Sequence, residues 1–290
     1  MSEPSVSVVL PVRDGERFLG EALASVLGQT LADLELIVVD DGSRDGSLEL
    51  ARGCVDKRVR VLRQDRLGLV QALNRGVGEA RARYVARMDA DDVSESTRLE
   101  RQVELLERCP RAAMAATWCT IVDSEGRELR EEVLPCRHDD LVRRLLLRNP
   151  FQHGSVMLRR EALERVGGYR SDYGANEDYD LWRRLAQSFE LSCVPAALYR
   201  YRLHPLAVTS TDPDRVRQRE RLRDEVWHDF ADESYRVRGI LASARTYRKL
   251  DRRVFRDHVA DQRALVREAL RRRRPRLAAR ALTASVVLSL

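Results

Sequence analysis

Apolar residues early in the chain come in short unbroken runs, each followed by a segment whose apolar positions recur every three or four residues. Val6-Ser-Val-Val-Leu-Pro-Val12 is a nearly continuous run, the pattern of a strand buried on both faces. After a turn at Arg13-Asp14-Gly15, residues 16–27 carry Phe18, Leu19, Ala22 and Val26 at helical spacing, and 34–39 form a second apolar strand. Strand, helix and strand at this spacing predict a βαβ unit, with parallel pairing and a right-handed crossover. The alternation continues with a helix over 47–51, a strand over 58–62, a helix over 67–80 entered at Gly68, and a fourth strand over 84–88. Residues 97–109 read as an amphipathic helix stopped by Pro110.

Farther on, 112–122 is strand-like, Asp123-Ser-Glu-Gly126 turns into a short hairpin, and 139–147 is helical. A helix from Glu177 to about 187 points Leu181, Trp182 and Leu185 inward, and 191–201 is the last strand. The remainder reads as arginine-rich helix. The pattern therefore predicts an α/β protein with a mostly parallel central sheet, residues 1–211, followed by a basic helical extension, residues 212–290.

Charge sharpens that division. The net charge is +6, yet residues 212–290 hold 21 Lys and Arg against 12 Asp and Glu, so the body is slightly acidic. A nucleic-acid binder is not expected, because the basic excess belongs to the extension and no aromatics interleave the arginines of 271–276. Arg271-Arg-Arg-Arg-Pro-Arg276 precedes a stretch whose one charge is Arg280. That end reads either as a helix packed on the body or as an interfacial segment on anionic lipid. At 290 residues and 43% hydrophobic, the chain can bury one large core plus an appendage. Five scattered cysteines without a C-x-x-C pair fit a reducing compartment. With no signal peptide and no apolar run near the ~20 residues of a membrane span, the expectation is a cytoplasmic protein, free or peripheral on the inner face of the membrane.

The candidate chemistry lies at strand ends, where parallel α/β sheets bind ligands. The second strand ends in Asp40-Asp41-Gly-Ser-Arg-Asp-Gly-Ser47 and the fourth in Asp89-Ala-Asp-Asp92. In extended chain Asp89 and Asp91 point the same way. Carboxylates held so close repel unless a cation sits between them or one takes a proton. Hard oxygens suit Mg²⁺ or Mn²⁺ bound together with substrate phosphates. An acidic solvated turn is the plainer reading. Val93 and Ser94 argue against an EF-hand. Gly15-x-x-x-x-Gly20 lacks the Lys-Ser/Thr of a P-loop, and no G-x-G-x-x-G is present, so a diphosphate here would need a metal. The Asp40-Asp41 loop suits a nucleoside, although Ser43 and Asp45 also fit a simple Asx-turn capping the next helix.

Pro11-Val12 before a polar turn, Val39-Asp-Asp-Gly-Ser43, Ala72-Leu-Asn74 and Asp89-Ala-Asp-Asp92, in this order and spacing, resemble the family 2 glycosyltransferases. The resemblance extends over residues 5–210 and takes in the acceptor-side strand of that family at Asn149-Pro-Phe-Gln-His-Gly-Ser-Val-Met-Leu-Arg-Arg160. It also takes in the "ED" pair at Glu177-Asp178 and a terminal Arg202-x-His204-Pro205 segment with Ser210. It implies the GT-A fold and inverting transfer of a sugar from a UDP-, dTDP- or GDP-linked donor to a saccharide or lipid-linked acceptor, as in cell-surface polysaccharide or glycoconjugate synthesis. It further implies Asp178 as catalytic base and Pro11, Arg13, Asp14, Asp40, Asp41, Asp89, Ala90 and Arg202 around the nucleotide sugar. His153, Gly154 and Glu177 fall on the acceptor side, and Asp91, Asp89 and His204 at a Mn²⁺ or Mg²⁺ ion, His204 being equally suited to a phosphate. One departure is Arg13-Asp14 in place of the family's aromatic residue and Asn. An arginine plane can still stack on a base. The alternatives are a sugar-nucleotide nucleotidyltransferase, told apart by release of pyrophosphate, and an inactive nucleotide-sugar-binding scaffold, told apart by failure to hydrolyse any donor.

Overall fold

In the computed structural model, which describes residues 3–205, 215–230, 252–272 and 274–289, the apolar runs become neighbouring strands. The chain begins β1 (Val6–Val12), α1 (Glu16–Leu27), β2 (Leu34–Asp41), α2 (Ser47–Arg52), β3 (Val59–Gln64), α3 (Leu69–Gly78) and β4 (Tyr84–Arg87). β1 pairs in parallel with β2 and β4, and β2 with β3. The unbroken hydrophobicity of β1 and β2 follows from burial on both faces. Val8, Leu10 and Val38 pack on one face with Leu19 and Val26 of α1, while Val9, Ile37 and Val39 pack on the other with Leu73 of α3. α3 lies so close that a Cβ on Gly76 would stand 2.4 Å from the Val9 side chain.

The second half continues with β5 (Val93–Ser94), α4 (Arg98–Arg108), β6 (Ala112–Val122), β7 (Glu128–Glu132), α5 (His138–Leu145), β8 (Met157–Arg159), α6 (Arg160–Arg165), α7 (Glu177–Ser188) and β9 (Glu190–Arg202). The sheet runs β3-β2-β1-β4-β8-β6-β9-β5, with β7 beside β6. β8 is antiparallel to both β4 and β6, whereas the long pair β6 and β9 is parallel, so the sheet is mixed but mostly parallel. The stretch 149–160 is less regular than a strand. It turns through a 3-10 helix, His153–Ser155, before β8, because Gly154 passes too close to neighbouring side chains for regular pairing.

Three helices, α8 (Arg215–Phe230), α9 (Arg252–Arg271) and α10 (Pro275–Ser289), make up the described part of the extension. Leu222, Val226 and Trp227 of α8, Leu265 and Ala269 of α9, and Leu277 and Ala281 of α10 join the same buried cluster as Trp182 of α7. α5 is the hub. The Tyr179 hydroxyl of α7 donates to the Leu145 carbonyl, the Trp227 indole of α8 donates to Leu146 at 2.6 Å, and Arg144 reaches Asp261 of α9 at 2.6 Å. The first two of these bonds occupy carbonyls that a helix end leaves unpaired. Among the described residues no helix is long and apolar enough to cross a membrane. Ser210 and the 211/212 boundary fall outside the described residues.

Candidate active site

The carboxyl ends of β1, β2 and β4 open on one crevice. Both aspartates ending β2 are buried, and they shape the loops around the crevice. Asp41 accepts hydrogen bonds from the Gln64 amide at 2.8 Å and the backbone N–H of Leu67 at 2.7 Å, and Gly68 N–H reaches its other oxygen at 3.1 Å. Arg13 stands 3.5 Å from Asp41 and is half-exposed, so one face of its guanidinium remains open. Asp14 has φ 51°, a backbone that Asp and Asn tolerate best among residues with a Cβ. This accounts for an Asp where the family carries Asn. Its side chain accepts from the Arg44 N–H and from Arg66, both at 2.7 Å. Pro11 is buried in β1 opposite Val39.

Asp89, Ala90 and Asp91 follow β4 at the floor of the crevice. Asp89 pairs with the buried Arg87. Burial raises its proton affinity, with the Asp91 charge adding to that rise against the pull of Arg87. Burial, then Asp89 and Asp91, pushes Asp92 up further. The Asp91 carboxylate is one-third exposed and meets His204 Nε2 at 2.8 Å. Hard carboxylate oxygens beside an imidazole suit Mn²⁺ or Mg²⁺, and a dication would reverse the strain among the three aspartates. No group of three or more His, Cys, Asp or Glu in ligating geometry occurs among the described residues. Of the residues present, Asp91 and His204 have the chemistry that fits such an ion. Arg202, expected on the diphosphate, is instead buried. It donates to the Asp91 carbonyl at 2.8 Å, to Glu21 at 2.6 Å and to the Ser124 carbonyl at 3.2 Å, and it lies over the Phe18 ring. It holds the backbone of the acidic turn.

Across from these groups stands the start of α7. Glu177 is buried, and desolvation, then the neighbouring Asp178 charge, pushes its carboxyl up to about 8. His153 lies 3.6 Å from Glu177, meets the Tyr169 hydroxyl at 2.9 Å and packs edge-on to Trp182. Burial, then the Arg87 charge, holds His153 well below its usual range, so it is neutral. Asp178 is partly exposed. It accepts from the Asn149 amide at 2.6 Å and from the Tyr179 N–H at 2.7 Å. Asp180 is buried against Arg184 at 2.7 Å, which removes it as a competing base. The two halves meet at Gly154: a Cβ there would stand 1.8 Å from the Tyr199 hydroxyl and 2.7 Å from Asp89 Oδ2.

The structure thus sets Asp89 against Gly154 and Glu177 against His153, with Asp91 bound to His204, Asp178 to Asn149, and Arg13 and Asp14 at the end of β1. Asp40, Asp41 and Arg202 lie beneath the surface as supports. Sequence reasoning gave no role to Asn149, Arg87, Tyr169 or Tyr199. Asn149 heads the quoted acceptor-side stretch, but nothing there marked its amide as the partner of Asp178.

The profile of the family described as Glycosyl transferase family 2 matches residues 7–167, ending before Glu177. An uncharacterized glycosyltransferase of Haemophilus influenzae is 30% identical over 69% of this chain and 66% of its own length. EpsE of Bacillus subtilis, which carries a glycosyltransferase name, is 34% identical over 69% of this chain and 74% of its own. The O-antigen biosynthesis glycosyltransferase WbnJ of Escherichia coli is 28% identical over 69% and 80%. Among solved structures, S. aureus TarS 1-349 in complex with UDP-GlcNAc superposes with a TM-score of 0.66 at 16% identity, covering 98% of this chain and 90% of that one. The mannosyltransferase PcManGT of Pyrobaculum calidifontis, in complex with GDP-Man and Mn²⁺, gives a TM-score of 0.56 at 17% identity, covering 99% and 87%. These likenesses establish the GT-A architecture, and with the profile and the relatives they lead to one conclusion: the chain belongs to glycosyl transferase family 2.

Proposed function

We propose that the chain transfers a sugar, with inversion, from a UDP-, dTDP- or GDP-linked donor to a hydroxyl of a saccharide or lipid-linked acceptor. The observation that carries this reading is the gathering of two acidic groups around the 153–154 turn: Asp89, with Asp91 two residues on, against Gly154, and Glu177, with Asp178 next to it, against His153. Inversion requires a base on the face away from the departing diphosphate, and this reading gives that role to Asp178. Asn149 aims its carboxylate, leaving it to take the acceptor proton as the sugar moves. Glu177, neutral near pH 7, donates a hydrogen bond to a sugar hydroxyl, and the half-exposed Arg13 stacks on the base. Asp91 and His204, with Asp89 beside them, would hold a divalent cation, which would supply positive charge against the leaving diphosphate.

The names of WbnJ and of the amylovoran biosynthesis glycosyltransferase AmsE of Erwinia amylovora support a place in surface-polysaccharide synthesis. The donors bound in TarS and PcManGT support a nucleotide sugar, and the Mn²⁺ of the latter supports a metal. In this reading residues 1–211 form the catalytic unit and 212–290 an extension that supports it, on the cytoplasmic side of the membrane. The test is a paired substitution. Asp178→Asn lowers transfer on the order of 10²–10⁴-fold and leaves Mn²⁺-dependent donor binding intact, whereas Asp91→Asn weakens that binding. Transfer by Asp178→Asn within a few-fold of the parent places the base elsewhere.

A further inference from the structure

We propose that a groove between the end of α5 and helices α8 and α9 binds a phosphate-bearing group. The groove has a volume of about 580 Å³ and is lined by Leu147 and Arg148 after α5, Arg223 of α8, and Ala260, Ala264 and Arg267 of α9, together with charged residues of that same helix. This size lies within the range of small-molecule sites.

Its acids are already committed. Asp261 is held by Arg144 at 2.6 Å, Asp257 stands 3.7 Å from the same guanidinium, and Glu268 is bound by Arg271 at 2.7 Å and Arg272 at 2.6 Å. Three of its arginines keep donors in reserve. Among the described residues no carboxylate comes within ion-pair distance of Arg148 or Arg267, although Arg148 acts on Asp261 through space, and both arginines are exposed. Arg223 comes only to 4.0 Å of Glu268 and of Glu220, and its buried Nε makes no hydrogen bond. A buried N–H without an acceptor calls for one. Forked guanidinium donors match phosphate oxygens best. Ala260 and Ala264 leave the floor between the arginines low enough for a ligand to lie there.

The groove also adjoins the proposed chemistry. Arg148 lines it, and the next residue, Asn149, holds Asp178. A phosphate gripped at Arg148 puts whatever it is attached to beside the acceptor side of the crevice, so the occupant is a phosphorylated acceptor. That last step rests on the function proposed above; the anion site itself does not.

The experiment titrates the full chain with pyrophosphate by calorimetry in the presence of chelator. The parent binds. The double variant Arg148→Gln/Arg267→Gln binds at least tenfold more weakly, each single variant falls between, and the distant exposed Arg52→Gln matches the parent. Melting temperatures confirm that the variants are folded. Affinity of the double variant within twofold of the parent, or equal loss in Arg52→Gln, overturns the site. Flotation with phosphatidylcholine vesicles, with and without phosphatidic acid, assigns the source. Capture that depends on phosphatidic acid and on the two arginines identifies a lipid phosphate, while pyrophosphate binding without capture identifies a soluble one. Asp178→Asn leaves pyrophosphate binding unchanged, so the site and the transfer reading fail separately.

Discussion

Glu177 and Asp178 are adjacent in sequence and unlike in surroundings. The first is sealed in the core beside a neutral imidazole, and the second accepts two hydrogen bonds at a helix start. A carboxyl raised from 4.5 to about 8 keeps its proton in the folded chain at pH values where the unfolded chain has lost it. Its contribution to stability is complete below 4.5 and is lost as pH rises through about 8. Glu177→Gln holds the neutral form throughout, so the fall in melting temperature across that window becomes shallower. Melting curves that decline in parallel for parent and variant would show that Glu177 titrates normally. The doubled acids of this site were legible because carboxylates crowded at strand ends require an explanation. Asn149 and Tyr199 were not legible. Their partners, Asp178 and Asp89, lie 29 and 110 positions away, and an amide or phenol has no reason in its own sequence to be there.

At the level of elements, β1 through β4 and their helices could be read from periodicity, since strands buried on both faces leave continuous apolar runs. The 149–160 stretch could not. Its conformation is set by contact with β4 and β9, and only Gly154 hints at this. Alanine at 154 would drive a methyl into the Tyr199 hydroxyl and toward Asp89. Overpacking of this kind costs about 1–3 kcal/mol, and we expect a lower melting temperature with impaired transfer. Adding Tyr199→Phe removes the nearest clashing atom and recovers part of the loss. A double-mutant cycle with no coupling between the two positions would show that the turn relaxes in some other way.

In the molecule as a whole, the basic extension and the acidic body differ in charge and share one core. Leu265 and Leu277 are both buried in it. Fully burying two leucines is worth about 3–6 kcal/mol, a large share of the roughly 5–15 kcal/mol that holds a domain folded. Deleting residues 264–290 therefore yields protein that melts earlier or precipitates; a soluble truncation with parental melting and donor binding would contradict this. Composition proposed a boundary at 211/212 but could not show what the apolar residues beyond it face. The clasp on α5, with Tyr179 reaching one carbonyl and Trp227 the next, has a consequence for inheritance and design. The helix that bears the proposed base and the segment that packs on it are fastened to consecutive peptide groups, so neither can be exchanged between relatives without the other. A chimaera joined at the charge boundary would import a Trp227 counterpart shaped for a foreign α5. One that carries α5, α7 and α8 across together keeps the fastening whole.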